Sequence, residues 1–315
     1  MRICLITPTK ANSASGNRTT AIRWRNILQS LGHTVHIYNN YSNQPADLMV
    51  ALHAWRSAQS IQQFAEIHPT KPLIVALTGT DAYRFIHSHS EKTLNSLTLA
   101  TKLVGLHSLI HHAVPKKFKH KINVIYQSTE MTMTRPKSKI DFQVCVAGHL
   151  RDEKDPLRPA YAVRSLPAKS KIRVAHFGAA HSNEWRKKAF LENIKNSRYR
   201  WHGEITPHQL NIQFRTSRLL ILPSIMEGGA NIISEAIMSD LPVVASRIEG
   251  SVGLLGLNYR GYYQVRNTND LREIILKCEK DSIFYNSLIH QCRQMKKLFT
   301  PEYELHSWRK LLLSL

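Results

Sequence analysis

The stretch Leu220 to Gly250, LILPSIMEGGANIISEAIMSDLPVVASRIEG, constrains what this chain can fold into more than any other. Leu219 to Leu222 is an unbroken apolar run of strand length, and Pro223 and Ser224 open a turn after it. Glu227-Gly228-Gly229 then lead into a helix that carries Glu235, and Val243 to Ser246 forms a second strand after Asp240-Leu241-Pro242. A strand, a helix and a strand in succession pair in parallel, because only a crossover of this length lets the second strand run the same way. The backbone N–H groups of Gly229, Ala230 and Asn231 lack intrahelical partners at such an entrance. They face the carboxyl edge of the sheet, where anions bind. Glu227 and Glu235 bracket that entrance, so the pattern predicts a phosphorylated ligand with hydroxyls at both ends.

The rest of the chain repeats the plan. Arg2 to Thr7 is an apolar strand, Pro8 to Asn17 a small-polar loop, Thr19 to Leu31 a helix ended by Gly32, and Val35 to Tyr38 a strand. The loop is TPTKANSASGN and not GxGxxG, which predicts anion contact at Gly16-Asn17, with Arg18 adding a cation, but no dinucleotide. Strands are predicted at Asp47 to Leu52, Leu73 to Leu77, Lys102 to Leu106 and Lys121 to Tyr126, with helices at Ala54 to His68 and Ser90 to Ala100. Thr78-Gly79-Thr80-Asp81 and Gln127-Ser128 are small and polar and follow strands, as binding-crevice residues do. TEMTMTRPKSK lacks periodicity and reads as a linker. A second series follows, with strands at Phe142 to Ala147, Ile172 to Phe177 and Tyr199 to His202 and helices at Asn183 to Lys195, Asp270 to Glu279, Ser282 to Lys297 and Tyr303 to Leu313. The expected architecture is α/β: two mononucleotide-like domains facing one another, residues 1–135 and 136–298, and a C-terminal helix over 299–315.

Composition narrows the function classes. A hydrophobic content of 43% excludes a disordered chain, and no apolar run approaches a membrane span. MRICLITP is too short and too early broken for a signal peptide, which predicts a cytoplasmic protein. Cys4, Cys145, Cys278 and Cys292 show no CxxC spacing and read as buried reduced thiols. The net charge of +21 attracts polyanions, yet the cations are spread over short groups such as Lys116-Lys117-Phe118-Lys119 and Arg186-Lys187-Lys188, with no recognition helix or zinc finger beside them. A solvated basic surface with an anionic small substrate is the expectation, rather than specific nucleic-acid binding.

Glu227 and Glu235 are a poor hydrolytic pair, since two turns of helix separate them by roughly 10 Å or more. Binding roles at two ends of a sugar nucleotide fit better. A departing nucleoside diphosphate needs cations where no DxD metal motif exists, and Arg151 and Lys154, in the loop after Phe142 to Ala147, are the candidates. The 17 histidines carry no acid or cysteine pattern of a metal site, so no metal and no cofactor is expected. An exposed charged turn remains the alternative for Arg151 and Lys154.

These motifs resemble the retaining nucleotide-sugar glycosyltransferases of the GT-B fold. The match rests on Pro223-Ser224 to Glu227, the Glu227-x7-Glu235 pair with Ala236 after it, Leu241 to Ser246, the Gly148 loop, Gly203, Gly16 and Trp308 near the C-terminus. The resemblance implies two Rossmann-like domains facing a cleft, with a C-terminal helix crossing back to the first. It also implies that Glu235 binds the ribose, that Glu227 and the amides of Gly228, Gly229, Ala230 and Asn231 meet the donor sugar and phosphates, and that Lys154 meets the diphosphate. Where the family has Arg directly after the loop glycine, this sequence has His149, leaving Arg151 as substitute.

A narrower resemblance runs through both halves. Ser15-Gly16-Asn17-Arg18, Ala51-Leu52-His53-Ala54, Leu77 to Arg84, Val124 to Ser128, Gly148 to Arg151, Met226 to Asn231 and Ala245 to Gly256 look like the selenosugar synthases of selenoneine biosynthesis. What this implies is attack of selenophosphate on a UDP-sugar, UDP-N-acetylglucosamine or UDP-glucose, with release of UDP and then phosphate. Selenophosphate arrives as an anion that is already nucleophilic and needs cations to hold it. Arg18, Thr80 and Arg84 are therefore expected to position it, with Arg56 a further cation and Asp81 orienting them or handling phosphate loss. The first domain would then serve the acceptor and the second the donor. Two alternatives stay open: a glycosyltransferase acting on a hydroxyl of a lipid or polysaccharide, and a non-catalytic polyanion binder.

Overall fold

The computed structural model describes residues 1–9, 16–131 and 140–315. Most of the loop before Gly16, most of the expected linker and the expected boundary at 135/136 lie outside the described residues. Contacts divide the chain into two compact units: Met1–Gln127 with Glu227–Asn231 and Pro301–Leu315, and Ser128–Met226 with Ile232–Thr300.

The first unit is built on a six-stranded parallel sheet of β1 (Arg2–Ile6), β2 (Thr34–Tyr38), β3 (Leu48–Leu52), β4 (Leu73–Leu77), β5 (Lys102–Gly105) and β6 (Ile122–Val124), in the order β2-β1-β3-β4-β5-β6. The central strands LMVAL and LIVAL are buried at every position. Continuous apolar runs are what a parallel strand covered on both faces requires. Alternate residues supply the two faces. Ile3, Leu5, Leu48, Val50, Leu52, Ile74 and Ala76 pack with Trp24, Leu28, Trp308 and Leu311. Cys4, Ile6, Met49, Ala51, Val75 and Leu77 pack with Ile61, Phe64 and Leu97 on the other side. The C-terminal helix Pro301–Leu312 thus covers the sheet face that the helix Gly16–Ser30 covers, and Trp24 and Trp308 meet edge to face at 4.8 Å. Beside them the fully buried Glu304 accepts from Trp24 Nε1 at 2.7 Å and pairs with Arg23 at 3.1 Å.

The second unit repeats the layer plan with β7 (Phe142–Ala147), β8 (Ile172–Phe177), β9 (Tyr199–Trp201), β10 (Leu219–Leu222), β11 (Val243–Ser246) and β12 (Tyr262–Tyr263), in the order β12-β11-β10-β7-β8-β9 and again all parallel. The direction of winding reverses between β1 and β3 in the first sheet and between β7 and β10 in the second. Ligands of open α/β sheets bind at the carboxyl ends of such reversal points.

Element ends differ from expectation where local geometry intervenes. The helix after β3 starts at Ala58 and not at Ala54, because His53 takes φ +75° and residues 53–57 form a turn closed by the Ser57 N–H on the His53 carbonyl at 3.1 Å. The first long helix starts at Gly16, ahead of the expected Thr19, so Gly16, Asn17 and Arg18 make its first turn. The helix Pro207–Thr216 and the two-residue β12 were not foreseen. Thr206, Pro207 and Gln209 do carry a readable start signal, a capping box with proline at the first helical position.

Candidate substrate-binding site

In the first unit, chemistry gathers on the loops that follow β3 and β4. His53, directly after β3, is 2% exposed. Its Nδ1 lies 3.2 Å from the Arg56 N–H and its Nε2 3.0 Å from Thr80 Oγ1. Burial lowers the His53 pKa against the opposing pull of Asp81, whose carboxylate lies 3.9 Å from Nδ1. The ring is therefore neutral at neutral pH. Asp81 has no exposed surface: one oxygen accepts the N–H groups of Thr78, Gly79 and Ala82 at 2.9, 2.8 and 3.1 Å, and the other accepts the Ala54 N–H at 2.9 Å. Its carboxylate ties the two loops together through main-chain N–H groups. Thr80 is half-buried at the start of the short π-helix Asp81–Phe85, and Arg84, one turn on, is exposed beside the Phe85 ring. Arg18 is half-buried in the first turn after β1, and Arg56 is exposed.

The peptide Glu227–Asn231 groups with this unit. A side chain at Gly228 would collide with the backbone of Thr78 and Gly79, and Gly229 takes φ +143° with Leu106 against it. Two consecutive glycines are therefore what lets this backbone approach the loop after β4. Buried Gln127, its amide turned to satisfy both ends, donates to the Gly229 carbonyl at 3.0 Å and to Asn231 Oδ1 at 2.6 Å and accepts from Arg23 at 2.9 Å. Gln127 thus holds the glycine peptide in shape. Glu227 is half-buried and Ala230 buried.

In the second unit the Gly148 loop follows β7, and Gly178 and Gly203 follow β8 and β9. Gly148 donates to the Phe177 carbonyl at 2.9 Å and Gly178 to the Gly203 carbonyl at 2.7 Å. Gly178 has φ +148°, and a Cβ there would strike the Gly148 carbonyl. That carbonyl also lies 3.0 Å from Nε2 of His176, whose Nδ1 meets the Tyr199 hydroxyl at 2.8 Å. Burial drives the His176 pKa down to about 4, so the ring stays neutral. His149 accepts the Ala179 N–H at Nδ1 (3.1 Å) and stands 5.0 Å from the His181 ring. Burial first, then His181, lowers its pKa. Lys154 ends the short 3-10 turn Asp152–Lys154 with its chain alongside Gly148, and the Glu153 carbonyl accepts the Ile225 N–H at 2.9 Å. Arg151 is half-buried and faces Glu153 at 3.9 Å. The loops after β7 and β10, where the winding reverses, are thereby joined. Ser224 is buried, its carbonyl accepting from the Ser246 hydroxyl, and Glu235 is half-buried on the helix Asn231–Met238. Ser128 is buried where this unit begins.

Sequence reasoning left His176 and Gly178 unmarked. The signal for Gly178 was present, a glycine directly after an apolar strand in IRVAHFG. His176 reads as an ordinary strand residue and carries no such signal.

Two all-parallel six-stranded sheets with helical cover, wound in this order, define the GT-B fold of glycosyltransferases. Residues 130–295, more than half of the chain, match the family of glycosyl transferases group 1, and the chain belongs to that family. Among solved structures it is similar to Anabaena Alr3699/HepE in complex with UDP and glucose, at TM-score 0.78, 16% identity and 100% of both chains. Sucrose-phosphate synthase from Thermosynechococcus elongatus matches at TM-score 0.79, 14% identity and 100% of both chains. S. aureus TarM, in complex with Fondaparinux, alpha-GlcNAc-glycerol and UDP, matches at 0.67 and 17% over 84% of this chain and 55% of that one. Among curated proteins none matches the chain. No helix among the described residues is long and apolar enough to cross a membrane.

Proposed function

We propose that this glycosyltransferase is a selenosugar synthase, joining selenophosphate to the anomeric carbon of a UDP-sugar, UDP-N-acetylglucosamine or UDP-glucose. The selenium lone pair forms the bond to carbon while the bond from that carbon to the diphosphate oxygen breaks, and UDP leaves with the electron pair. Water then cleaves the phosphorus–selenium bond, releasing phosphate and the selenosugar. The donor side of the reading draws on the UDP held by similar folds. In it Glu235 binds the ribose, and Glu227 with the peptide groups of Gly228 to Asn231 meets the sugar and phosphates. Lys154, Arg151 and His149 with Gly203 hold the diphosphate. No metal or cofactor takes part.

One observation carries the acceptor side. A hydroxyl acceptor needs a base, whereas the two groups placed to serve as one after β3 and β4 are both engaged. Asp81 is saturated by four main-chain N–H groups, and His53 receives an N–H at Nδ1. The same unit also carries the Thr80 hydroxyl and two cations, half-buried Arg18 and exposed Arg84. That set suits an anion which arrives already nucleophilic. The test is UDP release from UDP-N-acetylglucosamine and UDP-glucose with and without selenophosphate. Dependence on selenophosphate, weakened in Arg18→Ala and Arg84→Ala, is the expected result; release indifferent to it removes the reading.

A hydroxyl acceptor presented on an anionic membrane is the second reading, and one surface favours it. The helix Asn183–Lys195 exposes Phe190, Leu191 and Ile194 among Arg186, Lys187, Lys188 and Lys195. Apolar side chains flanked by cations suit an anionic lipid interface. Flotation with phosphatidylserine vesicles, lost in Phe190→Ser/Ile194→Ser, would favour it.

A further inference from the structure

We infer that His53 is a positioning residue: it fixes the Thr80 hydroxyl as a hydrogen-bond donor to the anion in the acceptor site. The inference rests on the acceptor reading above and adds a residue and a direction to it.

The argument begins with the tautomer. A backbone N–H can only donate, so the Arg56 N–H on Nδ1, at 3.2 Å, requires an unprotonated nitrogen there. A neutral imidazole then carries its proton on Nε2, the nitrogen 3.0 Å from Thr80 Oγ1. Nε2 must donate and Thr80 must accept. The Thr80 oxygen has given a lone pair to His53, and its own hydrogen points away from the ring. Thr80 is half-buried three residues past β4, and His53, its partner, directly follows β3, one of the two strands at the reversal point. A hydroxyl so constrained has its hydrogen free of the ring to donate, which suits an acceptor-only group such as an oxyanion.

The backbone gives independent support. His53 holds φ +75°, a sparsely populated conformation for any residue but glycine, though Asn, Asp and His adopt it more readily than most. Strain of this kind persists only where the surroundings over-determine it, and it concentrates at working positions. The ring is also locked laterally, with the Phe85 ring 5.7 Å away and the buried Asp81 holding the Ala54 N–H next to it in sequence. Both ring nitrogens of His53 are engaged, so the polarity of the Thr80 hydroxyl toward the ring is set by the tautomer.

The test uses inorganic phosphate alone as probe, titrated calorimetrically at pH 8 into the full chain and into Thr80→Val, Thr80→Ser, His53→Asn and the double variant His53→Asn/Thr80→Val. Asn tolerates the positive φ but cannot span to Thr80, and near-ultraviolet circular dichroism checks that each variant is folded. The expected result is phosphate binding weakened roughly tenfold or more in Thr80→Val and in His53→Asn, no further loss in the double variant, and recovery in Thr80→Ser. A purely structural His53 would give additive losses in the double variant. Equal phosphate affinity in all variants, additive losses, or a wild-type protein that takes up no phosphate overturns the inference. Selenophosphate-dependent turnover is measured beside it. Wild-type protein that binds phosphate with this variant pattern but shows no selenophosphate dependence sinks the acceptor reading and leaves the positioning role standing.

Discussion

Buried polar side chains with a single geometry carry most of what is specific to this chain. His176 and His107 are both without exposed surface, and burial lowers each pKa to about 4, with His111 and His112 adding to the effect at His107. The sign follows directly. An unfolded histidine takes up its proton near pH 6.5 and these two do not until about pH 4, so between those values protons favour the unfolded chain. Stability is expected to fall as pH drops through that window, by about 1.4 kcal/mol per pH unit for each ring once the unfolded form is fully protonated. Urea denaturation at pH 7.5, 6, 5 and 4.5 measures it, and His176→Gln should flatten the slope by one proton. Glu304 makes a second case, since Ala there leaves Arg23 and the Trp24 indole facing an empty buried site. Glu304→Ala is expected to destabilise by on the order of 3 kcal/mol, and Glu304→Gln by less, in denaturant titration. Neither role was legible in the sequence, because the partners of Glu304 lie some 280 residues away in the chain.

Elements were more legible than their ends. β4, β7, β8, β10 and β11 fall where apolar runs and their flanking turns put them. A strand buried on both faces has no freedom in composition, and so its run is unambiguous. The helix after β3 starts late because the chain first places His53 in a left-handed conformation, which no propensity announces. The same holds for the glycines: Gly228 and Gly229 were expected at a ligand for their N–H groups, yet the absence of side chains also admits the backbone of Gly79. Gly178 is the element-scale test. Ala there meets the Gly148 carbonyl in a conformation that L side chains avoid. Gly178→Ala is expected to lower stability by about 1–3 kcal/mol and to weaken UDP binding more than tenfold by displacing the Gly148 loop. Thermal melts and UDP calorimetry measure the two effects. Undisturbed UDP affinity in a folded Gly178→Ala protein would detach that loop from the donor.

At the scale of the molecule, two successive strand-helix series were readable as two parallel α/β domains, and the GT-B plan was implied by the resemblance of motifs spread over both of them. What the nucleotide-sugar fold cannot encode is the nucleophile, which depends on which donors remain unspent after main chain and side chains have satisfied one another. The charge of +21 is spread and carries no such information. Binding to heparin or random DNA is expected to be sequence-independent and to fall steeply between 50 and 200 mM salt, as filter binding at the two salt concentrations would measure. The most direct measurement is mass spectrometry of the products from UDP-N-acetylglucosamine or UDP-glucose incubated with selenophosphate. A selenium-bearing hexose, formed with UDP and phosphate and lost in Glu227→Ala, is the expected result. UDP release without selenium in any sugar product, or a selenosugar formed equally by Glu227→Ala, would contradict the central claim.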